Sequence, residues 1–121
     1  MNADTTTTTT TNDLIGSDRV EGTAVYNNTG EKLGSIDSLM INKRTGQVLH
    51  AVLEFGGFLG MGTDRYPLPW SMLKYDTDLD GYVVPLSETQ LNDAPRYPHN
   101  DPSPFMSDAG YGQRVNNHYG Y

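Results

Sequence analysis

Two apolar runs separated by a turn dominate the pattern of hydrophobic and polar positions in this chain. Residues 32–41 and 47–55 are rich in aliphatic and β-branched side chains, and the turn-forming segment Asn-Lys-Arg-Thr-Gly lies between them at residues 42–46. Turn residues between two such runs are typical of a β-hairpin. The pattern therefore predicts a long antiparallel hairpin as the centre of the fold.

The two runs differ in how regularly they alternate. Successive side chains of a strand point to opposite faces. In the second run one face carries Leu49, Ala51, Leu53 and Phe55, which we predict to face the core, and the other carries Val48, His50, Val52 and Glu54. The first run changes parity along Leu33, Ile36, Leu39 and Ile41, which predicts a bulge within residues 34–37.

Shorter segments complete the predicted fold. Residues 23–26 form a first strand, and residues 73–76 and 82–85 form a last hairpin around an Asp- and Gly-containing turn. Two prolines in residues 66–70 remove alternate backbone donors, so this segment is predicted at an edge or as a barrel-closing strand. Ser87 and Gln90 have the spacing of a capping box, which predicts a short helix that Pro95 ends. The predicted fold is mainly β: a small β-barrel of about six strands with one short C-terminal helix.

The composition divides the chain into three zones. Residues 1–13 contain a tract of seven threonines without apolar periodicity and are expected to be a disordered leader. Residues 14–97 hold nearly all the Val, Ile and Leu and are expected to be the domain. Residues 98–121 are rich in Pro, Asn, Asp, Gly and Tyr, and we expect this tail to be disordered or laid on another surface.

Charge and size narrow the classes of function. Eight Lys and Arg against fifteen Asp and Glu give a net charge of −7, which argues against binding to nucleic acid or to an anionic membrane surface. No run is long enough to span a membrane and the start lacks signal-peptide features, so a cytoplasmic protein is expected. A small domain without cysteine buries only about 60% of its unfolded surface. Self-association is therefore expected to assist its stability.

The residues then show a resemblance to a known family. The segments GTAVYN at 22–27, GEKLGSI at 30–36, Thr-Gly at 45–46, FGGFLG at 55–60 and PLPW at 67–70 resemble the PRC-barrel family. This family includes the cytoplasmic domain of the photosynthetic reaction centre H subunit, the C-terminal domain of ribosome-maturation factors and free-standing bacterial proteins. The resemblance implies a PRC-type barrel over roughly residues 20–95, and the glycines it rests on are turn and bulge residues rather than catalytic groups.

The predicted last hairpin contains a candidate cation site. Asp76, Asp78 and Asp80 stand at the alternate positions that begin a calcium-binding loop, and Gly81 follows at the position of the loop's turn. The twelfth position is Ser87 instead of a glutamate, and strands replace the expected flanking helices. Acidic residues and glycine also favour ordinary turns. The segment thus predicts either an acidic hairpin or a calcium-sensing site, and no other cofactor is expected.

The glycine-rich segment 56–62 carries a candidate interaction patch. Phe58, Leu59 and Met61 are apolar side chains among glycines, which suggests that they cover the end of the barrel or contact a partner. A phosphate-binding loop would need a helix to follow it. A strand is predicted there instead, so nucleotide binding is not expected.

The sequence offers little support for catalysis. His50, His99 and His118 are far apart in sequence and have no neighbour at metal-ligand spacing, and no cysteine is present. His50 could form a titrating pair with Glu54 if their strand face lies in an interface, whereas solvent exposure is the expectation favoured for it. We therefore expect a protein that is not an enzyme.

Three functional hypotheses follow from these observations. The first is a non-enzymatic protein-interaction or assembly module, whose partner is another protein or a second copy of the chain. The second is an ion- or ligand-sensing module that uses the acidic hairpin. The third, which rests on the resemblance alone, is an accessory role in photosynthetic electron transfer similar to that of the reaction centre H subunit.

Overall fold

A computed structural model describes residues 13–55 and 64–121 of the chain. Its strands are β1 (Ala24–Tyr26), β2 (Lys32–Ile41), β3 (Val48–Phe55), β4 (Asp64–Pro69), β5 (Lys74–Asp76), β6 (Gly81–Val83) and β7 (Tyr97–Pro98). Its helices are α1 (Ser17–Val20), α2 (Glu88–Asn92), α3 (Ser103–Ser107) and α4 (Tyr111–Tyr119), and a short 3-10 turn spans Trp70–Met72. The mainly β class is thus confirmed.

The strands form one seven-stranded sheet in the order β5-β6-β1-β2-β3-β4-β7. Neighbours are antiparallel except β1 and β6, which run parallel. The predicted hairpin of β2 and β3 lies at the centre, and its turn closes with a hydrogen bond from the Gly46 N–H to the Asn42 carbonyl at 2.7 Å. Gly46 has a φ of +80°, a conformation that glycine adopts without steric cost.

The predicted bulge in β2 is confirmed. The register between β2 and β3 shifts between Ile36 and Ser38, so Asp37 is the extra residue that breaks the alternation. The two strands also come unusually close at Gly34, where an added Cβ would lie 1.9 Å from the backbone oxygen of Glu54. Only glycine fits at this point of the hairpin.

A seventh strand, which the sequence analysis did not predict, is added beside β4. β7 pairs with β4 only at Asp64 and Arg65, which precede the prolines. Pro67 and Pro69 pair with β3 alone among the described residues, so the proline-bearing half of β4 lies at an edge as expected. A proline has no backbone N–H to donate to a further strand, so the pairing with β7 does not continue along this half of β4.

The predicted helix is present as α2, and its capping box is complete. The Ser87 hydroxyl accepts from the Gln90 N–H, and the Gln90 side chain accepts from the Ser87 N–H. Both bonds satisfy donors that a helix start otherwise leaves without a partner.

Removing this cap is expected to destabilise the domain modestly. Ser87→Ala removes the side-chain acceptor, and a lost N-cap costs about 1 kcal/mol of the free energy of unfolding. Ser87→Asp keeps an acceptor and is expected to retain most of that stability. Urea unfolding of both variants checks this, and equal losses in the two would contradict it.

The main core lies on one face of the sheet, and a second cluster lies on the other. The main cluster includes Val25, Ile36, Leu53, Leu68 and Leu91, while the second is formed by Val52, Tyr97, Tyr111 and Val115. The predicted core face of β3 is right for Ala51 and Leu53, whereas Leu49 is 44% exposed. The opposite face is buried as well, because residues after 96 cover it.

The C-terminal residues are therefore not a disordered tail, which corrects that expectation. These residues form α3 and α4. The second expectation, that the tail is laid on a surface, is the one that holds, and the surface is the domain's own sheet. Tyr111, Val115 and Tyr119 are spaced four residues apart, so they lie on one side of a helix. The predicted leader, apart from Asp13, lies outside the described residues.

Candidate interaction surfaces

The strand β5, at one end of the sheet, presents an exposed aromatic side chain. Tyr75 is 50% exposed, and its ring packs edge to face on Tyr82 with the centroids 5.3 Å apart. Its hydroxyl donates a hydrogen bond to the Asp80 carboxylate, which raises the pKa of Tyr75. The ring is thus held in one orientation while one face remains open to solvent.

Two further apolar side chains are exposed, one in the same groove as Tyr75 and one in the turn after β5. Ile15 is 55% exposed, and Leu79 in the turn after β5 is also exposed. Ile15 and Tyr75 line one open groove of about 400 Å³, together with Arg19, Asp80 and Tyr82. Tyr75 also borders a second groove of about 230 Å³ with Val83 and Pro85. Exposed apolar groups beside a sheet edge are typical of a surface that another chain covers.

The charges of β5 alternate with the exposed tyrosine. Lys74 and Asp76 flank Tyr75 and therefore project from the same face of the strand. β5 pairs with β6, and no other described strand pairs with it. One side of the strand thus keeps backbone groups that a further strand could pair with.

The structure places the predicted calcium ligands in the turn between β5 and β6. One Asp76 carboxylate oxygen accepts from the N–H groups of Asp78 and Leu79, while Asp80 accepts from Tyr75. Asp80 adopts a φ of +52°, as the turn requires. Among residues 13–55 and 64–121, no three Asp, Glu, His or Cys side chains are grouped to hold a metal ion. Calcium binding by this segment stays a prediction.

The other predicted patch cannot be placed on the fold. Phe58, Leu59 and Met61 lie in residues 56–63, outside the described residues. Their suggested role in contacting a partner therefore stays a prediction too.

His50 is buried rather than exposed, which corrects the favoured expectation. Only 4% of the residue is accessible, and its Nε2 lies 3.0 Å from the Asn116 side-chain oxygen of α4. The Phe105 ring of α3 lies 5.5 Å from the imidazole, between centroids. Burial lowers the pKa of His50, and its contacts with Asn116 and the Gly112 backbone offset part of this effect. His50 is therefore neutral near pH 7.

The second cluster around this histidine contains several phenols. Burial, assisted by the nearby Asp37 carboxylate, raises the pKa of Tyr97 to about 12. The hydroxyl groups of Tyr111 and Tyr119 are buried, and neither has a hydrogen-bond partner among the described residues. A buried polar atom without a partner costs about 1–3 kcal/mol. The contact between α4 and the sheet is therefore less stable than its apolar area alone indicates.

Sequence reasoning missed both surfaces for identifiable reasons. The three residues of β5 are too few to show that the strand lies at the end of the sheet, and its position depends on the parallel pairing of β1 with β6. The burial of His50 depends on α4, whose signal was the four-residue spacing of Tyr111, Val115 and Tyr119. That spacing was available in the sequence.

Comparison with known proteins assigns the fold. The family model described as PRC-barrel domain matches residues 12–91, which is more than half of the chain. The match ends within α2, so β7, α3 and α4 lie beyond it. No curated protein matches the chain in sequence. No helix among the described residues is long and apolar enough to cross a membrane.

Proposed function

The chain belongs to the PRC-barrel domain family, and we propose that it is a non-enzymatic interaction module that binds a second copy of itself through β5. The observation that carries this proposal is the charge order of β5, in which a half-exposed tyrosine stands between a lysine and an aspartate.

This order is complementary to itself in an antiparallel arrangement. If two copies of β5 pair about a twofold axis at Tyr75, Lys74 of each copy lies opposite Asp76 of the other. A twofold interface requires such a surface, because the same patch is presented by both subunits. Opposite charges across a strand pair stabilise it, and an aromatic pair at its centre adds to this.

The surroundings of β5 support a second copy as the occupant. The backbone of an end strand can pair with another strand, and the resulting hydrogen bonds are independent of side-chain identity. Ile15 provides exposed apolar surface in the same groove as Tyr75, and Leu79 is exposed in the turn that follows β5. A net charge of −7 disfavours broad contact between two copies. An attractive charge pattern confined to β5 would therefore also determine the register in which the two copies of this strand pair.

The experiment uses two charge-reversal variants. Each is expected to lose self-association when alone, and the two are expected to associate with each other when mixed. In Lys74→Asp the two copies of the strand would place aspartates opposite each other, and in Asp76→Lys they would place lysines opposite each other. We expect each variant alone to dissociate about tenfold more readily than the wild type, which corresponds to about 1.4 kcal/mol. An equimolar mixture of the two variants restores opposite charges at both pairs and is expected to associate again.

Sedimentation velocity across micromolar concentrations provides the measurement. The mixture is the matched control, because it contains the same substitutions that weaken each variant alone. It also separates the charge effect from the loss of the Asp76 turn contacts. A wild type that remains monomeric at about 100 μM, or a mixture no more associated than its components, would contradict the proposal.

The two other hypotheses remain predictions. Calcium sensing would use Asp76, Asp78 and Asp80, and an electron-transfer role would follow the likeness to the reaction centre H subunit. No feature of the described residues favours either over self-association through β5.

A further inference from the structure

A C-terminal strap, defined as residues 103–121, covers the second face of the sheet. Tyr111 and Val115 are buried in its helix α4, and Tyr119 lies on the same side. α3 adds Phe105, whose ring lies 4.9 Å from that of Tyr111. The outer side of α4 is polar and includes Gln113, Arg114 and Asn117.

The strap and the main core form two clusters that touch at a few points. Buried strap residues belong to the second cluster. Among the described residues, Tyr119 alone is packed against both clusters, and the His118 Nε2 lies 3.0 Å from the Gln90 carbonyl oxygen of α2. The family match ends at residue 91, before the strap begins. Because these contacts are few, we expect detachment of the strap to leave the core between residues 20 and 94 in place.

A histidine lies where the strap contacts the sheet. The His50 imidazole is covered by α4, and a Cβ added to Gly112 would lie 3.1 Å from its Cε1. The His50 Nε2 lies 3.0 Å from the Asn116 side-chain oxygen. Because an amide oxygen can only accept a hydrogen bond, Nε2 carries the proton of the neutral ring. A second proton would enter at Nδ1, which makes no hydrogen bond of ordinary geometry with the described residues.

The surrounding charges do not compensate an imidazolium. The titratable and charged groups on the elements packed around His50 are Lys32 and Asp37 of β2, Glu54 of β3, Asp64, Arg65 and Tyr66 of β4, Tyr97 of β7, and Tyr111, Arg114, His118 and Tyr119 of α4. The Arg65 Nε lies 3.2 Å from the Asp37 carboxylate, and Glu54 stands opposite Arg65 in the register of β3 and β4. Arg114 is paired with Asp108, just before α4. Burial and the contacts with Asn116 and Gly112, rather than these charges, determine the direction in which the pKa of His50 is shifted.

We propose that the strap is a pH-operated cover, which protonation of His50 releases to expose the sheet face around His50, Val52 and Tyr97. In the attached state the ring is buried and neutral. In the released state the His50 ring is exposed to water and can be protonated. The buried hydroxyl groups of Tyr111 and Tyr119, which lack partners among the described residues, make the attached state easier to leave.

The direction of the pH effect follows from linkage. Burial lowers the pKa of His50 below its ordinary value of 6.5 in the attached state, while the released state keeps that value. Above pH 6.5 both states are neutral and attachment is fully favoured. As the pH falls below 6.5 the released state binds more protons, so the release constant rises by up to tenfold per pH unit until the attached-state pKa is reached.

Amide hydrogen exchange of the full chain at pH 7.5 and pH 5.5 tests the proposal. After correction for intrinsic exchange rates, α4 amides are expected to be less protected at pH 5.5 than at pH 7.5, by at most about tenfold. Amides of the β2–β3 hairpin are expected to keep theirs. Unchanged α4 protection, or equal loss in the hairpin, would overturn the proposal.

Three variants assign the response to one residue. His50→Gln cannot titrate and is expected to make α4 protection independent of pH. His118→Gln is the matched control for a second histidine on the same helix. His118 is exposed and lies 3.0 Å from the Gln90 carbonyl oxygen, so its replacement could lower α4 protection at both pH values, but the loss between pH 7.5 and pH 5.5 should remain as in the wild type. Asn116→Asp places a carboxylate beside His50 and is expected to keep α4 attached at pH 5.5. If His50→Gln fails to fold, Asn116→Asp still decides the matter, since α4 release at pH 5.5 in that variant would overturn the proposal.

Discussion

Gly34→Ala is expected to destabilise the domain more than any other single methyl addition in the described sheet. The new Cβ would lie 1.9 Å from the backbone oxygen of Glu54 and 3.0 Å from its carbonyl carbon. A backbone atom cannot rotate away as a side chain can, so β2 and β3 would have to separate at the centre of the sheet. We expect a loss of about 3 kcal/mol, at the upper end for overpacking.

Urea unfolding measures this effect, and the neighbouring residue provides the control. Ser35→Ala, in the same strand, adds no atom to the contact and should change stability by less than about 1 kcal/mol. A domain of this size has a total stability of about 5–10 kcal/mol, so the glycine variant would still fold in water and would unfold at a clearly lower urea concentration. A Gly34→Ala midpoint equal to that of Ser35→Ala would show that the two strands are farther apart than described.

Leu53→Ala is expected to have an effect of similar size. Leu53 is 1% exposed in the main core, and a buried leucine replaced by alanine leaves a cavity that costs about 2–5 kcal/mol. Leu49→Ala is the matched control, since Leu49 has the same parity in β3 but is 44% exposed. Its loss is expected to stay below about 1 kcal/mol.

The comparison of the two leucines tests where the core ends. Urea midpoints that differ by an amount corresponding to 2 kcal/mol or more would agree with the described burial. Similar losses in both variants would mean that the end of the hairpin at Leu49 is covered by something in solution, and a second copy of the chain would then have to be tested at that end.

Local sequence signals predicted the parts of the fold that neighbours along the chain determine. The turn at Gly46, the bulge at Asp37 and the cap at Ser87 each depend on a few consecutive residues, and all three were predicted. Their geometry is encoded in backbone conformations that particular residues favour.

Features that depend on distant contacts were not predicted. The two residues of β7 have no strand signal of their own and pair because Arg65 and Tyr97 meet in the folded chain. His50 belongs to the polar side of β3 in the sequence pattern, and only α4, about sixty residues later, makes that side an interior. Both faces of β3 are therefore buried, although its alternation is typical of a strand with one face in water.

The parallel pairing of β1 with β6 has a consequence for how the protein is made. Val25 cannot pair with Tyr82 until Tyr82 has emerged from the ribosome. The last buried residue of the main core is Ala94. α4 follows later in the chain, so the face with His50 is synthesised before its cover. At about 5–20 residues per second that face stays open for a few seconds in every nascent chain. Each newly made molecule thus passes through an uncovered form, during which chaperones or a partner could reach a surface that the finished protein conceals.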